Sequence, residues 1–113
     1  MNFEPAVQPI STEIHMPDGV FIKTMVIQKA GTFVPQHAHT YDHISVLVKG
    51  RIRVTVDGEF LGIFEAPDSL LIKARTKHLF EALEDGTTIL CVHDIGLAEE
   101  VSIHEEHQIG GPV

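Results

Sequence analysis

The sequence predicts an all-β fold, either a sandwich or a small barrel. Short apolar runs rich in β-branched and aromatic residues recur every ~8–12 residues along most of the chain. Asp-Gly pairs lie between runs at residues 18–19, 57–58 and 85–86. This pair favours the type I′ turn of a β-hairpin, because both central residues of that turn need positive φ. No segment before residue 96 repeats with the 3.6-residue period of a helix.

The predicted strands follow one another from residue 19 onward. They read GVFIKTMVIQ, ISVLVKG, RIRVTV, EFLGIF, SLLIKA, KHLFEAL and TTILCVHDI. RIRVTV alternates strictly between polar and apolar residues, which indicates one solvent-facing side and one buried side. The first two runs are instead apolar on both faces, and a sheet of that kind needs a cover on its outer side. We therefore expect a homodimer that buries an outer sheet face.

The chain of 113 residues is long enough for one domain with its own core. We expect an N-terminal arm over about 1–10, a barrel over about 11–95 and an acidic tail over about 96–113. The tail, LAEEVSIHEEHQIGGPV, is compatible with a short helix, an edge strand or a loose extension. The sequence does not choose between these three.

Composition disfavours several classes of function. The net charge of -8 argues against nucleic-acid binding, which normally needs a basic patch. The absence of Trp, with a single Tyr, leaves no platform for stacked bases. No apolar run approaches the ~20 residues of a membrane span. The single cysteine and the lack of a signal-peptide pattern at the N-terminus favour a cytoplasmic protein.

Histidine is the unusual residue of this sequence, because its eight copies equal Lys and Arg together. His37 and His39 are two residues apart, so on a strand both side chains would point to the same face. His43 opens the apolar run ISVLV, and His78 opens HLFEAL. These four imidazoles, converging from strand ends, would form a site for a first-row transition metal. Imidazole suits Zn, Cu, Fe and Ni, whereas Ca and Mg prefer oxygen ligands.

The other histidines divide into one pocket candidate and three solvated residues. If Asp85 and Gly86 form a two-residue turn, His78 faces His93 across a β-hairpin, and directly opposed side chains share one face. We therefore expect His93 to line the pocket, either beside a ligand or as a fifth imidazole near the metal. The histidines expected in solvent are His15, His104 and His107.

Several residues near the histidines have both a plain and a functional interpretation. Tyr41 is either packing at the rim or a pocket group that moves a proton. Asp42 is either a turn residue or an acceptor for the N–H of a ligating imidazole. The basic run of Lys73, Arg75 and Lys77 is either a solvated loop or an attractor of anionic substrates.

The stretch GTFVPQHAHTYDHISVLVKG resembles the first motif of the cupin superfamily. That motif has Gly, five residues, His-x-His, three or four residues, Glu, six residues and Gly. Gly31, His37, His39 and Gly50 match it in type and spacing, and His43 stands where the family has Glu.

The second cupin motif is matched by one residue. His78 stands at its histidine, whereas Ala82 occupies the position of the usual Asn. The resemblance covers roughly residues 20–95 and implies a double-stranded β-helix, or jelly-roll barrel, around a mononuclear metal. The ligands that it implies are His37, His39, His43 and His78.

The change from Glu to His has a chemical consequence. Neutral imidazoles leave the full charge of a divalent ion, and its open positions, for an anionic small-molecule substrate. The site is similar in ligand type to cysteine and β-diketone dioxygenases, so we expect an oxidoreductase of dioxygenase type with Fe(II). The alternative metals are Mn, Ni, Cu and Zn. The alternative functions are a metal-dependent lyase or isomerase and a non-catalytic, metal-stabilised module that binds a small ligand.

Overall fold

A computed structural model describes residues 10–35 and 38–94 of the chain. Within these residues the protein has nine β-strands, one 3₁₀ turn and no α-helix. The elements are β1 (Ile10–His15), the 3₁₀ turn (Pro17–Gly19), β2 (Val20–Ile27), β3 (Phe33–Pro35), β4 (His43–Lys49), β5 (Arg51–Val56), β6 (Glu59–Glu65), β7 (Asp68–Ile72), β8 (His78–Ala82) and β9 (Thr87–Asp94). The predicted all-β fold is confirmed.

The strands form two antiparallel sheets that pack face to face. One sheet has five strands in the order β1-β2-β9-β4-β7, and the other has four in the order β3-β8-β5-β6. The chain crosses between the sheets several times, so each sheet mixes strands from distant parts of the sequence. This is the jelly-roll, or double-stranded β-helix, that the sequence analysis expected.

The core lies between the two sheets and follows the alternation of the strands. In β2 and β9 every second residue is buried. Ile27 and Leu47 of the five-stranded sheet and Ile52 and Phe80 of the four-stranded sheet are completely buried. Burying a side chain of this kind contributes ~1.5–3 kcal/mol relative to leaving it in water. This packing holds the sheets together and fixes the polar side chains that share their inner faces.

Two glycines of the predicted motif are required for different reasons. Gly50 joins β4 to β5 with φ 89°, and a Cβ there would collide with the side chain of Thr87. Gly31 also has φ 89°, but a Cβ there would have no atom within 4 Å. Gly31 is therefore needed for its backbone conformation alone, whereas Gly50 also allows β5 to start close to β9.

Two of the predicted Asp-Gly hairpins are confirmed. Asp57 and Gly58 have φ of 46° and 85°, and Val56 pairs with Glu59 across a two-residue type I′ turn. The Asp-Gly pair at residues 18–19 lies in the connection between β1 and β2, which pair antiparallel. The strand β1 itself was not predicted, because most of its residues are polar and exposed.

The predicted hairpin between β8 and β9 is wrong. β8 pairs with β3 and β5, whereas β9 pairs with β2 and β4, so these strands lie in different sheets. The carboxylate of Asp85 accepts a hydrogen bond from the Ala30 N–H at 2.8 Å, and the Gly86 N–H donates to the Ile27 carbonyl at 2.8 Å. This turn is therefore bound to the connection that leaves β2, and it carries the chain from one sheet to the other.

The next expectations concern the two ends of the chain and membrane-spanning segments. The predicted arm, apart from Ile10 at the start of β1, and the predicted acidic tail lie outside the described residues. In the part of the chain that is described, no helix is long and apolar enough to cross a membrane.

Candidate metal site

Two histidines lie side by side on the inner face of the five-stranded sheet. His43 begins β4 and His93 is the last buried residue of β9. The two strands pair antiparallel with Ile44 opposite Val92, which brings His43 opposite His93 on the inner face. His93 therefore lies in the interior as expected, although the hairpin used to predict this does not exist.

His39 joins this pair from the connection between β3 and β4. Its ring centroid is 5.2 Å from that of His43, with an angle of 76° between the rings, and the residue is buried. The sequence analysis treated His39 as a strand residue, but β3 ends at Pro35 and residues 38–42 are a loop. The N–H of Arg75 donates to the His39 carbonyl at 2.7 Å and holds this loop in place.

Tyr41 packs against three of the histidines. Its ring lies 4.8 Å from the ring of His39, 4.7 Å from that of His93 and 6.2 Å from that of His43, measured between centroids. Tyr41 is half-buried. Tyr41 therefore forms part of the wall of the site. It lies against the imidazoles themselves and not only at the rim, as the plain interpretation would have it.

The orientation of His93 is fixed by two ring contacts and one hydrogen bond. Its ring stacks on that of Phe21 at 4.6 Å and lies 4.7 Å from that of Tyr41, measured between centroids. Nδ1 lies 3.0 Å from the Asp94 carbonyl, which can only accept, so Nδ1 carries the proton. The lone pair is then on Nε2, which is buried and has no hydrogen-bond partner among the described residues.

His43 is held neutral by its surroundings. Burial is the main cause that lowers its pKa from 6.5 to about 3, and the charges of His39, His93, His78 and Lys23 act in the same direction. Its Nδ1 is buried and has no hydrogen-bond partner among the described residues. A neutral imidazole is the form that ligates a metal ion.

His78 enters the interior from the four-stranded sheet. It begins β8 and is buried, and burial lowers its pKa against the opposing influence of Asp57. The hydroxyl of Thr76 donates to the Lys73 carbonyl at 2.7 Å, so its oxygen accepts from His78 Nδ1 at 3.3 Å. This arrangement leaves the lone pair of His78 on Nε2.

These residues fit a transition-metal ion in their chemistry, and they do not complete a site by themselves. The described imidazoles are buried and come from both sheets and one loop. No three His, Cys, Asp or Glu side chains within the described ranges are arranged so that they could hold an ion. His37, the remaining predicted ligand, lies outside the described residues. A complete site therefore needs His37 or a closer approach of the side chains around the ion.

Comparison with known families decides the relationship of the chain. A family model of the cupin domain matches residues 23–94, which is more than half of the sequence. This chain belongs to the cupin family. No curated protein sequence matches it.

Solved cupin structures share the fold at low sequence identity. KdgF from Halomonas sp. superposes with a TM-score of 0.65 and 20% identity, over 81% of this chain and 84% of that one. A cupin superfamily protein from Desulfitobacterium hafniense has a TM-score of 0.65 and 16% identity, with coverage of 81% and 83%. The plu4264 protein from Photorhabdus luminescens has a TM-score of 0.65 and 12% identity, with coverage of 97% and 99%. At this level of identity, these similarities show the fold of this cupin and nothing about its function.

Asp42 of this cupin binds the neighbouring loop and not an imidazole. Its Oδ1 accepts from the Ala74 N–H at 2.7 Å, and its Oδ2 lies 3.5 Å from the Lys73 ammonium group. The Ala74 N–H, followed by Lys73, keeps the pKa of this carboxyl below its ordinary value. The structure thus agrees with the plain interpretation of Asp42 as a turn residue.

Two of the remaining sequence expectations concern exposed residues of this cupin. The side chains of the basic run are exposed, and that of Lys73 pairs with Asp42. His15 is exposed and lies 3.5 Å from Glu13, as expected of a solvated residue. His104 and His107 lie outside the described residues.

One charged residue of the interior was not predicted from the sequence. Lys23 of this cupin lies on β2, and only 8% of its surface is exposed. A signal was present, since Lys23 is in phase with Phe21 and Met25 in an alternating strand. Lysine is normally read as a solvent-facing residue, and that general preference obscured its position.

Proposed function

We propose that this cupin binds one divalent transition-metal ion and acts on a small molecule at that ion. His37, His39, His43 and His78 are the proposed ligands, with Fe(II) the first choice of metal and Mn, Ni, Cu and Zn the alternatives. The observation that carries the proposal is the pair of buried neighbours, His39 and His43, of which His43 is held in its neutral form. A buried, neutral imidazole with an unpartnered nitrogen costs free energy that a bound ion repays.

The reaction that we propose is an oxidation of dioxygenase type. A bound ion of this kind supplies Lewis acidity, a template for the substrate and a means of activating dioxygen. The protein supplies enclosure and positioning. The two sheets keep water out of the interior, and the loop after β3 positions His39. Tyr41 closes one side of the site, where its ring packs on the rings of His39 and His93.

His93 supports a second candidate, a metal-dependent lyase or isomerase. Its Nδ1–H donates a hydrogen bond to the Asp94 carbonyl. This leaves a lone pair on Nε2, in the interior beside Tyr41. An imidazole held in this orientation next to a phenol is suited to moving a proton to or from a bound substrate. We propose His93 and Tyr41 as the groups that would do so.

We also propose that two copies of the chain pair through the outer face of the five-stranded sheet. The strand register aligns one row across that face, which consists of Ile22, Val92, Ile44 and Leu71. The next row consists of Thr24, Leu90, Val46 and Ser69. Across β2, β9, β4 and β7 neither row contains a charged residue, whereas on the edge strand β1 the charged Glu13 lies opposite Thr24. A second copy of the chain that packs on these four strands would not bring like charges together.

The outer face of the other sheet is different. Its strand register aligns Ile63, Arg53, Glu81 and Phe33 in one row, so two oppositely charged residues lie between two apolar ones. A mixed surface of this kind is stable in water, and we expect it to remain exposed in the dimer. Cys91 is the single cysteine of the chain and is buried, so the chain has no internal disulfide. This supports the proposal that the protein works in a reducing compartment such as the cytoplasm.

The proposed function is tested by the metal content of untagged protein. We expect about one equivalent of a first-row transition metal in the wild type, and a loss of most of it in His43→Gln. His15→Gln is the matched control, because it removes an exposed imidazole from β1 and should retain the metal. An oxygen-consumption screen with the native metal then separates the oxidase chemistry from the lyase or isomerase alternative. A wild-type protein that takes up none of Fe, Mn, Ni, Cu and Zn contradicts the proposal.

A further inference from the structure

Lys23 is the only Lys, Arg, Asp or Glu among the described residues that is buried. It occupies the middle of β2, on the inner face that it shares with Phe21, Met25 and Ile27. Burying an ammonium group removes its hydration and costs free energy, whereas burying an apolar side chain of similar size carries no such cost. Its position on the inner face makes Lys23 the candidate among the described residues for recognising an anion in the interior.

The strand register places Lys23 one row away from the histidines. Lys23 is opposite Cys91 on β9, and Cys91 is opposite Ser45 on β4. The Ser45 Oγ and the Cys91 Sγ are 3.7 Å apart, so this row is tightly packed. The adjacent row of the same face consists of Phe21, His93 and His43. Neighbouring rows of one face are ~7 Å apart, and the flexible four-carbon stem of lysine can cover such a distance.

The inner face at this level combines the buried imidazoles of His43 and His93 with the one buried lysine of the described residues. An ammonium group in the row beside these imidazoles would attract an anion to the same part of the interior.

The exposed basic run does not have this position. Lys73, Arg75 and Lys77 are exposed, and the Lys73 ammonium group pairs with Asp42 on the surface. Exposed charges steer an anion toward the protein, but their effect on a bound group is screened by water and salt. Recognition of an anion inside the barrel is thus better served by Lys23.

We propose that Lys23 recognises the anionic group of the small molecule that binds at the histidine site, and that the substrate is a small organic anion such as a carboxylate. The charged group of that molecule would face β2, and its reacting part would face the imidazoles of His43 and His93. This inference rests on the proposed function and names the chemical class of its substrate.

The test compares three forms of the full chain: the wild type, Lys23→Met and Lys23→Arg. Oxalate serves as the anionic probe and oxamide as a neutral probe of the same shape, each titrated by NMR into metal-free and Zn(II)-loaded protein. The affinity for Zn(II) itself is measured by competition with a chelator. We expect Lys23→Met to weaken oxalate binding about tenfold, with oxamide binding unchanged. The same substitution should leave the Zn(II) affinity unchanged or raise it, since it removes a positive charge near the cation. Lys23→Arg retains the charge and should retain most of the oxalate affinity.

Two results would overturn the role of Lys23. One is an oxalate affinity of Lys23→Met equal to that of the wild type. The other is an equal loss of oxalate and Zn(II) binding in both variants, which would show that Lys23 only supports the fold. A wild-type chain that takes up no Zn(II) or other transition metal contradicts the metal-dependent function instead. In that case the oxalate titration of the metal-free protein still decides whether Lys23 binds the anion.

Discussion

At the scale of single residues, the chemistry of the site depends on keeping imidazoles uncharged. His43 and His78 are buried, and burial lowers the pKa of both. The hydrogen bonds of His78 and His93 place the proton of each ring on Nδ1. In the neutral form, a ring with its proton on Nδ1 offers the lone pair of Nε2 to a metal ion. The substitution of His43 for the usual motif Glu therefore changes the charge of the site and preserves its ability to donate electrons to a metal.

The low pKa of His43 predicts a loss of stability in acid for the metal-free protein. Between pH 6.5 and about 3 the unfolded chain binds a proton that the folded imidazole does not, so the free energy of unfolding falls as the pH falls. From pH 7 to pH 5 we expect His43 to account for a loss of about 2 kcal/mol. Urea denaturation of the wild type and His43→Gln at both pH values measures this difference.

The control for this measurement is Ile89→Val, a small truncation in the core. It should lower the free energy of unfolding by about 1 kcal/mol at both pH values and leave the pH dependence as it is in the wild type. If His43→Gln loses as much stability on acidification as the wild type does, His43 is not the group that titrates.

At the scale of elements, two loops that are hydrogen-bonded to each other position His39. The connection from β3 to β4 carries His39 and Tyr41, and it is bound to the connection from β7 to β8. The bonds between them are Arg75 N–H to the His39 carbonyl and Ala74 N–H to Asp42, both at 2.7 Å. Arg75 has a φ of 64°, an unusual conformation that this contact stabilises. The position of His39 thus depends on residues that do not touch the imidazoles.

Substitutions of Asp42 test this link between the loops. We expect Asp42→Ala to lower the Zn(II) affinity about tenfold, because it removes the acceptor that holds the His39 loop against Ala74. Asp42→Asn keeps an oxygen at the same place and should bind Zn(II) nearly as the wild type does, since it loses only the attraction to Lys73. The measurement is a competition titration with a chelator. Equal affinities for the two variants would contradict a role of the hydrogen bond.

Short sequence patterns predicted those parts of the fold that depend only on neighbouring residues. The Asp57-Gly58 hairpin needed only the φ preferences of its two residues. The turn at Asp85 was mispredicted because its carboxylate bonds to Ala30, 55 residues away, and no local pattern reveals such a partner. The prediction placed His93 in the interior through a pairing with His78 that does not exist, whereas its burial follows from the alternation of residues along β9.

The same distinction separates the site residues. The spacing of His39, His43 and Gly50 identified the loop and the strand that carry the site. Lys23 belongs to no motif and was missed, because its importance arises only when β2 pairs with β9 and faces the histidines. The tautomers of His78 and His93 likewise depend on tertiary hydrogen bonds that spacing does not encode.

At the scale of the whole molecule, the two outer faces predict one mode of assembly. Ile44 lies at the centre of the apolar rows of the five-stranded sheet, with 45% of its surface exposed. We expect the wild type to have twice the chain mass by size-exclusion chromatography with light scattering, and Ile44→Glu to have the mass of one chain. A glutamate there buries two carboxylates at the proposed interface, which costs more than the contact provides.

The matched control is Ile63→Glu on the outer face of the four-stranded sheet, where Ile63 is 53% exposed. This variant should remain a dimer, because the face that it changes is not part of the proposed interface. A wild type that is monomeric at micromolar concentration contradicts the proposed dimer. A dimer that is disrupted by Ile63→Glu and not by Ile44→Glu assigns the interface to the other face.

The place of β9 has a consequence for the order in which the protein is built. β9 is the last strand of the described chain, yet it lies in the middle of its sheet, between β2 and β4. During synthesis, the edges of β2 and β4 stay unpaired until residues 87–94 have left the ribosome. His93 arrives with that strand, and the row that contains His43 closes at the same moment. The nascent protein therefore completes its fold in a single late event, and the proposed metal ion would bind only after this last strand has closed the sheet.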